Sequence, residues 1–437
     1  MVWLGRFALI ARVKMCARIF LSALALTCSV GEASEAATDT LVVCPGAFRP
    51  ALAEWQEYRR SQGHEIRVID PPATAAQLSA QVRQANAGNS LKYLLIIGEA
   101  PRVSPSGERR LLNTTPTNYV PAKVNVKWGS EPWIASDIPY ADLDGDNVPD
   151  LAVGRIPVST TAQLATVLRK TLDYERKTEH GAWEKRLNIA SGVGGFGVVT
   201  DALIEAAARQ VIAQTVPADY VTQHIHPDGE TVQNASMSPS FPLRAQQQLS
   251  EGSLAWVYLG HGWITELDRV KTAKGSESIL SVGDVSRLHC CGHSPLAVLV
   301  ACYTGAMDAQ RNCLAEELLV AAEGPVAVIA ATRVTMPYGN TVLGCELLRA
   351  CFKDRPELLG DTLRQAERKT LLPSRDDQLR SSLDSMASGL SPAPVDLASE
   401  RLEHVQMYHL FGDPLIHLRR PVAAATNASG DISAEGN

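Results

Sequence analysis

Short apolar runs alternate with amphipathic stretches along the first half of the chain. Leu41–Val43, Ile66–Asp70 and Tyr93–Gly98 are apolar runs of strand length, and the stretches between them, Ala51–Arg60 and Ala75–Ala85, carry the mixed pattern of half-buried helices. The order β-α-β-α-β predicts a parallel sheet covered by helices. A polar, Pro-rich connection from Pro101 to Pro139 follows, then a strand at Leu151–Arg155 and a helix at Ala162–Glu175 that closes this unit.

The alternation restarts at Leu187–Ser191, passes a Gly-rich turn, and continues with a helix at Asp201–Gln214, a strand near Tyr220–His224 and a helix near Pro242–Leu249. Apolar strands follow at Leu254–Gly260, Leu296–Ala301 and Val326–Thr332, with helices at Leu314–Ala322, Thr341–Phe352 and Glu357–Leu371. The expected fold class is α/β, with two tandem doubly wound parallel-sheet units over residues 38–185 and 186–420. Residues 421–437 are small and polar and are expected to be disordered.

Composition changes the picture mainly by exclusion. In 437 residues, 41 Lys and Arg stand against 47 Asp and Glu, a net charge of −6, which argues against a nucleic-acid binder. Arg6, Arg12, Lys14 and Arg18 precede the apolar run Ile19–Ala25, and small residues at Gly31–Ala36 supply cleavage sites. Residues 1–36 therefore read as a signal peptide, with Met15 as an alternative start, and the mature chain is expected in the periplasm or outside the cell. That run is too short to span a bilayer, and no later run approaches the necessary length. Without Cys16 and Cys28, seven of the nine cysteines remain, so at least one thiol is left over from any pairing. The cluster His289-Cys290-Cys291-Gly292-His293 lacks standard zinc-ligand spacing.

Two apolar strands end at reactive groups. Leu254–Gly260 delivers His261-Gly262, and Leu296–Ala301 delivers Cys302, far enough along the chain for a parallel crossover between them. Both groups would then lie outside the carboxyl ends of the sheet, where open α/β folds bind ligands. A thiol near its reference pKa is mostly protonated at neutral pH, so a nearby imidazole serves as base, electrostatic partner or later acid. With no Cβ, Gly262 can bring its N–H close to a substrate carbonyl and, with the N–H of Cys302, cradle an oxyanion. The plainer alternative is a strand-end histidine and an ordinary buried thiol.

These residues resemble the gingipain-like cysteine peptidases, family C25 of the caspase-related clan CD. The resemblance extends to Tyr93–Gly98, Val153-Gly154-Arg155, Asp173-Tyr174-Glu175-Arg176, Ala301-Cys302, Cys313-Leu314-Ala315-Glu316, Val326–Thr332 and Phe411-Gly412-Asp413-Pro414, in family order over residues 41–418. It implies a caspase/gingipain-like second unit and a peptidase acting on peptide or protein substrates, with His261 and Cys302 as the catalytic dyad and no cofactor needed for the chemistry. In the arginine-specific members an acidic residue precedes the glycine pair, where Val193 stands here. Their specificity aspartate has Asp201 as its nearest counterpart, able to bind an Arg or Lys side chain. The resemblance leaves zymogen control and oligomeric state open.

Two other motifs compete for attention. Gly192-Val193-Gly194-Gly195-Phe196-Gly197 spells a dinucleotide fingerprint, but the first acid after the following strand, Asp228, stands 36 residues beyond Gly192 rather than about 20. An NAD-binding oxidoreductase and a catalytically silent binding protein on the same fold are the alternative functions. Asp142, Asp144, Asp146 and Asp150 occupy positions 1, 3, 5 and 9 of a tight loop, with the Val148 carbonyl available at position 7, a set of hard oxygens suited to structural calcium. The loop is not an EF-hand, because Val153 occupies position 12.

Overall fold

The computed structural model describes residues 38–103, 109–110, 113–194, 206, 209–227, 239–272, 275–290, 292–372, 376–390 and 396–421. The segment expected to be a signal peptide, Asp201, Gly195–Gly197, Cys291 and the tail beyond residue 421 lie outside the described residues.

Ten strands form one sheet: β1 (Thr40–Val43), β2 (Ile66–Ile69), β3 (Tyr93–Ile97), β4 (Ala152–Ile156), β5 (Arg186–Ser191), β6 (Val221–Ile225), β7 (Ala255–Leu259), β8 (Leu296–Val300), β9 (Ala327–Ala331) and β10 (Tyr408–Phe411). Their order across the sheet is β6-β5-β7-β8-β9-β10-β4-β3-β1-β2. The two α/β halves expected from the sequence each supply a contiguous block of strands, and the blocks join edge to edge at β10 and β4 to make a single sheet. Central strands β1, β3 and β9 are buried along their whole length, whereas β6 at one edge is largely exposed, which is why the former read as unbroken apolar runs and the latter does not.

One strand departs from the parallel expectation. Tyr408–Phe411 runs antiparallel to β9 and parallel to β4, and closes the seam between the halves. The strand is only four residues long, includes His409, and follows directly on the helix Leu397–Met407, so no turn signal separates the two. The seam needs close backbone approach: a Cβ on Gly154 would lie 2.4 Å from the Gly412 carbonyl oxygen.

Several of the motif residues singled out in the sequence build this scaffold. Arg59, fully buried, joins Glu175 and Asp413 through Nη2 at 2.7 Å to each, and Trp55 Nε1 donates to the same Asp413 oxygen at 2.6 Å. Arg155 makes a two-point pair with Asp137, at 2.6 and 2.9 Å, and donates to the carbonyls of Gly98, Thr115 and Pro116. Glu316 returns to the Cys313 N–H at 2.7 Å, capping the helix Leu314–Val320, and accepts from Arg102 at 3.0 Å. Among the described residues no helix is long and apolar enough to cross a membrane.

Candidate active site

The winding of the second half reverses between β5 and β7. From β5 the chain crosses to β6 on one side, then returns past β5 to β7 and continues to β8 and β9 on the other. The carboxyl ends of β5 and β7 therefore flank a switch point, the place where open α/β sheets leave a crevice. Leu259 pairs in register with Ser191 on one side and with Val300 on the other. Val193, His261 and Cys302 each lie two residues beyond those level strand ends.

The spacing noted in the sequence thus brings His261 and Cys302 out of adjacent strands, and Gly262 lets the two exits touch. A Cβ on Gly262 would lie 2.8 Å from the Cys302 carbonyl oxygen and 2.9 Å from the Ala301 Cβ. Both His261 and Cys302 are partly exposed. Cys302 stands apart in this from the other described free cysteines, Cys44, Cys290, Cys313, Cys345 and Cys351, all of them buried.

The thiol is held by a loop the sequence did not point to. Thr335 donates its N–H to Cys302 Sγ at 3.3 Å, and its Oγ1 lies 3.6 Å from the sulfur. Asn340 Nδ2 donates to that hydroxyl at 2.8 Å, and Tyr408 Oη donates to Asn340 Oδ1 at 2.7 Å. Directly after the thiol, Tyr303 adopts φ +59°, and the turn is secured by its N–H to the Arg333 carbonyl at 3.1 Å.

His261 sits between Tyr258 and Asp268. Tyr258 Oη donates to the His261 carbonyl at 3.1 Å, and the Asp268 carboxylate accepts the His261 N–H. Asp268 Oδ2 also accepts the Val193 N–H at 3.0 Å, so the position after Gly192 meets an acid from another part of the chain. Gly192 and Gly260 leave room for the tyrosine hydroxyl: a Cβ would lie 2.4 Å from it at the former and 2.6 Å at the latter. That packing accounts for the first glycine of the apparent dinucleotide fingerprint.

A cavity of about 500 Å³ runs along the same strands, lined by apolar side chains such as Ile189, Val257 and Val298 and also by Val193, Gly260 and Asn340. His224, with Nε2 2.8 Å from Ser191 Oγ, lines it further out.

In the acidic loop, Asp142, Asp144 and Asp146 bring carboxylate oxygens within 4.8 Å of one another. Asp150 turns away from this group, accepting the Leu143 N–H at 3.0 Å and lying 3.6 Å from Arg368. Val148 is buried and donates its N–H to Asp146 at 2.8 Å. Elsewhere, Cys290 Sγ donates to the Leu249 carbonyl, and His293 stacks on Trp183 at 5.3 Å between ring centres.

Comparison with known proteins agrees with this architecture. The model of peptidase family C25 matches residues 33–419. No curated protein matches the chain. Among solved structures, the complex of the pro- and mature domains of RgpB from Porphyromonas gingivalis superposes with a TM-score of 0.62 at 18% identity, covering 87% of this chain and 80% of that one. The Arg-specific cysteine proteinase gingipain R gives 0.61 at 19% identity, with 89% and 79% covered. At these identities the superpositions speak for the fold, and the family match carries the chemistry. The chain belongs to peptidase family C25 and is a cysteine endopeptidase built on the gingipain fold.

Proposed function

We propose that this is an exported endopeptidase in which Cys302 is the nucleophile and His261 its proton-transfer partner. The observation that carries the reading is the contact of Gly262 with the Cys302 backbone at two level strand exits. Cys302 sulfur attacks the scissile carbonyl carbon, and the tetrahedral oxyanion is received by the N–H groups of Cys302 and Gly262. Imidazolium at His261 gives its proton to the departing amine as the C–N bond breaks, leaving a thioester. Water, deprotonated by the same imidazole, then hydrolyses the thioester and returns the thiol.

Asp201 is the proposed partner of an Arg or Lys side chain preceding the scissile bond; Asp201→Asn should lower kcat/KM on such substrates and leave uncharged ones unaffected. The carboxylates of Asp142, Asp144 and Asp146 are the proposed core of a structural calcium site, completed by carbonyl and water oxygens.

Replacement of Cys302 by Ala tests the central reading. Hydrolysis of a mixed peptide library and labelling by an acyl-type thiol inhibitor should both vanish, and turnover retained in that variant would refute the assignment. A catalytically silent binding protein would leave the wild-type thiol unlabelled. An oxidoreductase would bind a nicotinamide dinucleotide saturably through the Gly192 turn.

A further inference from the structure

We infer that Asp268 is a positioning residue for His261, holding the imidazole-bearing peptide at the mouth of the site and supplying a fixed negative charge beside it. This rests on the reading of His261 as the proton carrier.

The geometry is a bracket around one residue. Both peptide groups of His261 are captured, its carbonyl by Tyr258 Oη at 3.1 Å and its N–H by the Asp268 carboxylate. The bracket is closed on itself, because the Asp268 N–H points at Tyr258 Oη at 3.4 Å. It is also anchored to a third segment, since Asp268 Oδ2 takes the Val193 N–H at 3.0 Å. Asp268 is only 7% exposed, so its carboxylate is committed to these donors and not to bulk water. A buried acceptor left without its donors, or donors left without it, costs more than a surface contact would return.

Among the described residues, the titratable side chains that bear on Asp268 are His261 and Tyr258, and Tyr258 stays neutral because burial and the carboxylate itself raise its pKa well above the ordinary value. The side chain of Arg269 turns outward to Glu266 at 2.8 Å. Burial raises the Asp268 carboxyl, while the charge of His261 and the N–H bonds of Val193, Arg269 and His261 pull it down. An imidazolium formed during turnover is therefore attracted by the Asp268 carboxylate, which reaches the site from the segment just before a hairpin.

The test compares pH profiles of kcat and KM for the full chain, Asp268→Asn, Asp268→Glu and His261→Ala, on one uncharged peptide substrate. Asn keeps an acceptor for the Val193 N–H and removes the charge. D268N should lower kcat about tenfold or more with KM changed by less than about twofold, and should move the pH profile of kcat toward lower pH. D268E should recover part of the rate. If D268N does not fold, D268E decides by the same criterion, a lowered kcat at unchanged KM. Wild-type kcat and an unmoved profile in these variants, with H261A inactive, would overturn the role of Asp268 and leave the dyad standing. A lowered melting temperature with an unmoved profile would also overturn it, since support of the fold alone does not act on the imidazole. Full turnover by H261A would instead remove the dyad reading itself.

Discussion

The backbone N–H of Thr335 points at the sulfur of Cys302 from 3.3 Å, across 33 residues of sequence. The direction of the thiol is therefore set by a loop that follows β9, and that loop is in turn held by Asn340 and Tyr408. Removing the link should loosen the Cys302 thiol without touching it. Asn340→Ala is expected to slow inhibitor labelling of Cys302 by roughly three- to tenfold, as misplacement of a reacting group does, and a labelling rate equal to wild type would show that the loop needs no such support.

Thiol reactivity should be confined to one site among the described cysteines. Burial pushes the Cys44 and Cys345 thiols up to about 12 and Cys351 to about 11, and Cys313 rises well above its usual range. Iodoacetamide at pH 7 should alkylate Cys302 in the native protein and reach these four and the buried Cys290 only after unfolding, a pattern that peptide mapping reads directly.

Asp413 shares the guanidinium of Arg59 with Glu175, and the three close the scaffold from its first helix to its last strand. Burial alone would raise the Glu175 carboxyl, but bonds from His417 and Arg59 hold it at about 2. Breaking a buried charge network leaves an uncompensated ion, so Asp413→Asn should cost about 3 kcal/mol of stability. A urea midpoint unchanged from wild type would contradict this.

Acid should weaken the fold through His404. The ring is buried, accepts the Met336 N–H at Nε2 from 2.9 Å and donates from Nδ1 to the Glu400 carbonyl, so the neutral form is the one that fits. Burial lowers its pKa from 6.5 to about 4. As pH falls from 6.5 to 4 the unfolded chain takes up a proton that the folded chain refuses, and stability drops by about 3 kcal/mol across that window. Glu316, raised by burial to about 7 from 4.5, acts oppositely and loses stability as pH rises through that range. The difference between wild type and His404→Gln isolates the histidine: the variant should lose less stability between pH 6.5 and 4, and parallel curves would exclude the effect.

Chelation should destabilise the acidic loop. EDTA is expected to lower the melting temperature by about 1–3 °C, since an unfolding entropy of about 2.1 cal/mol/K per residue makes each kcal/mol worth about 1 °C in a chain of 437 residues, and calcium to restore it. Asp144→Ala should abolish the difference, whereas a chelator-insensitive wild type would remove the metal from the loop.

Much of this was legible beforehand, and the reason is local. Buried parallel strands need unbroken apolar runs, so Leu94–Ile97 and Val326–Ala331 announce themselves, and a strand that ends in His-Gly or Cys marks its own exit. Tyr408–Phe411 was not legible, because a short strand continuing directly from a helix carries no punctuation. Asp268, Thr335 and Asn340 were equally silent, since each acts through a backbone bond or one hydroxyl made across the fold.

The order of residues alone determined the family motifs, the α/β class and two candidate reactive groups at strand ends, because hydrophobic periodicity and strand-end chemistry are properties of short segments. Only the tertiary structure decided that both halves share one sheet, that Val193 meets the carboxylate of Asp268, and that the thiol of Cys302 is aimed by Thr335. Those are contacts between segments far apart in the chain, fixed by register and crossover, and no local pattern encodes them.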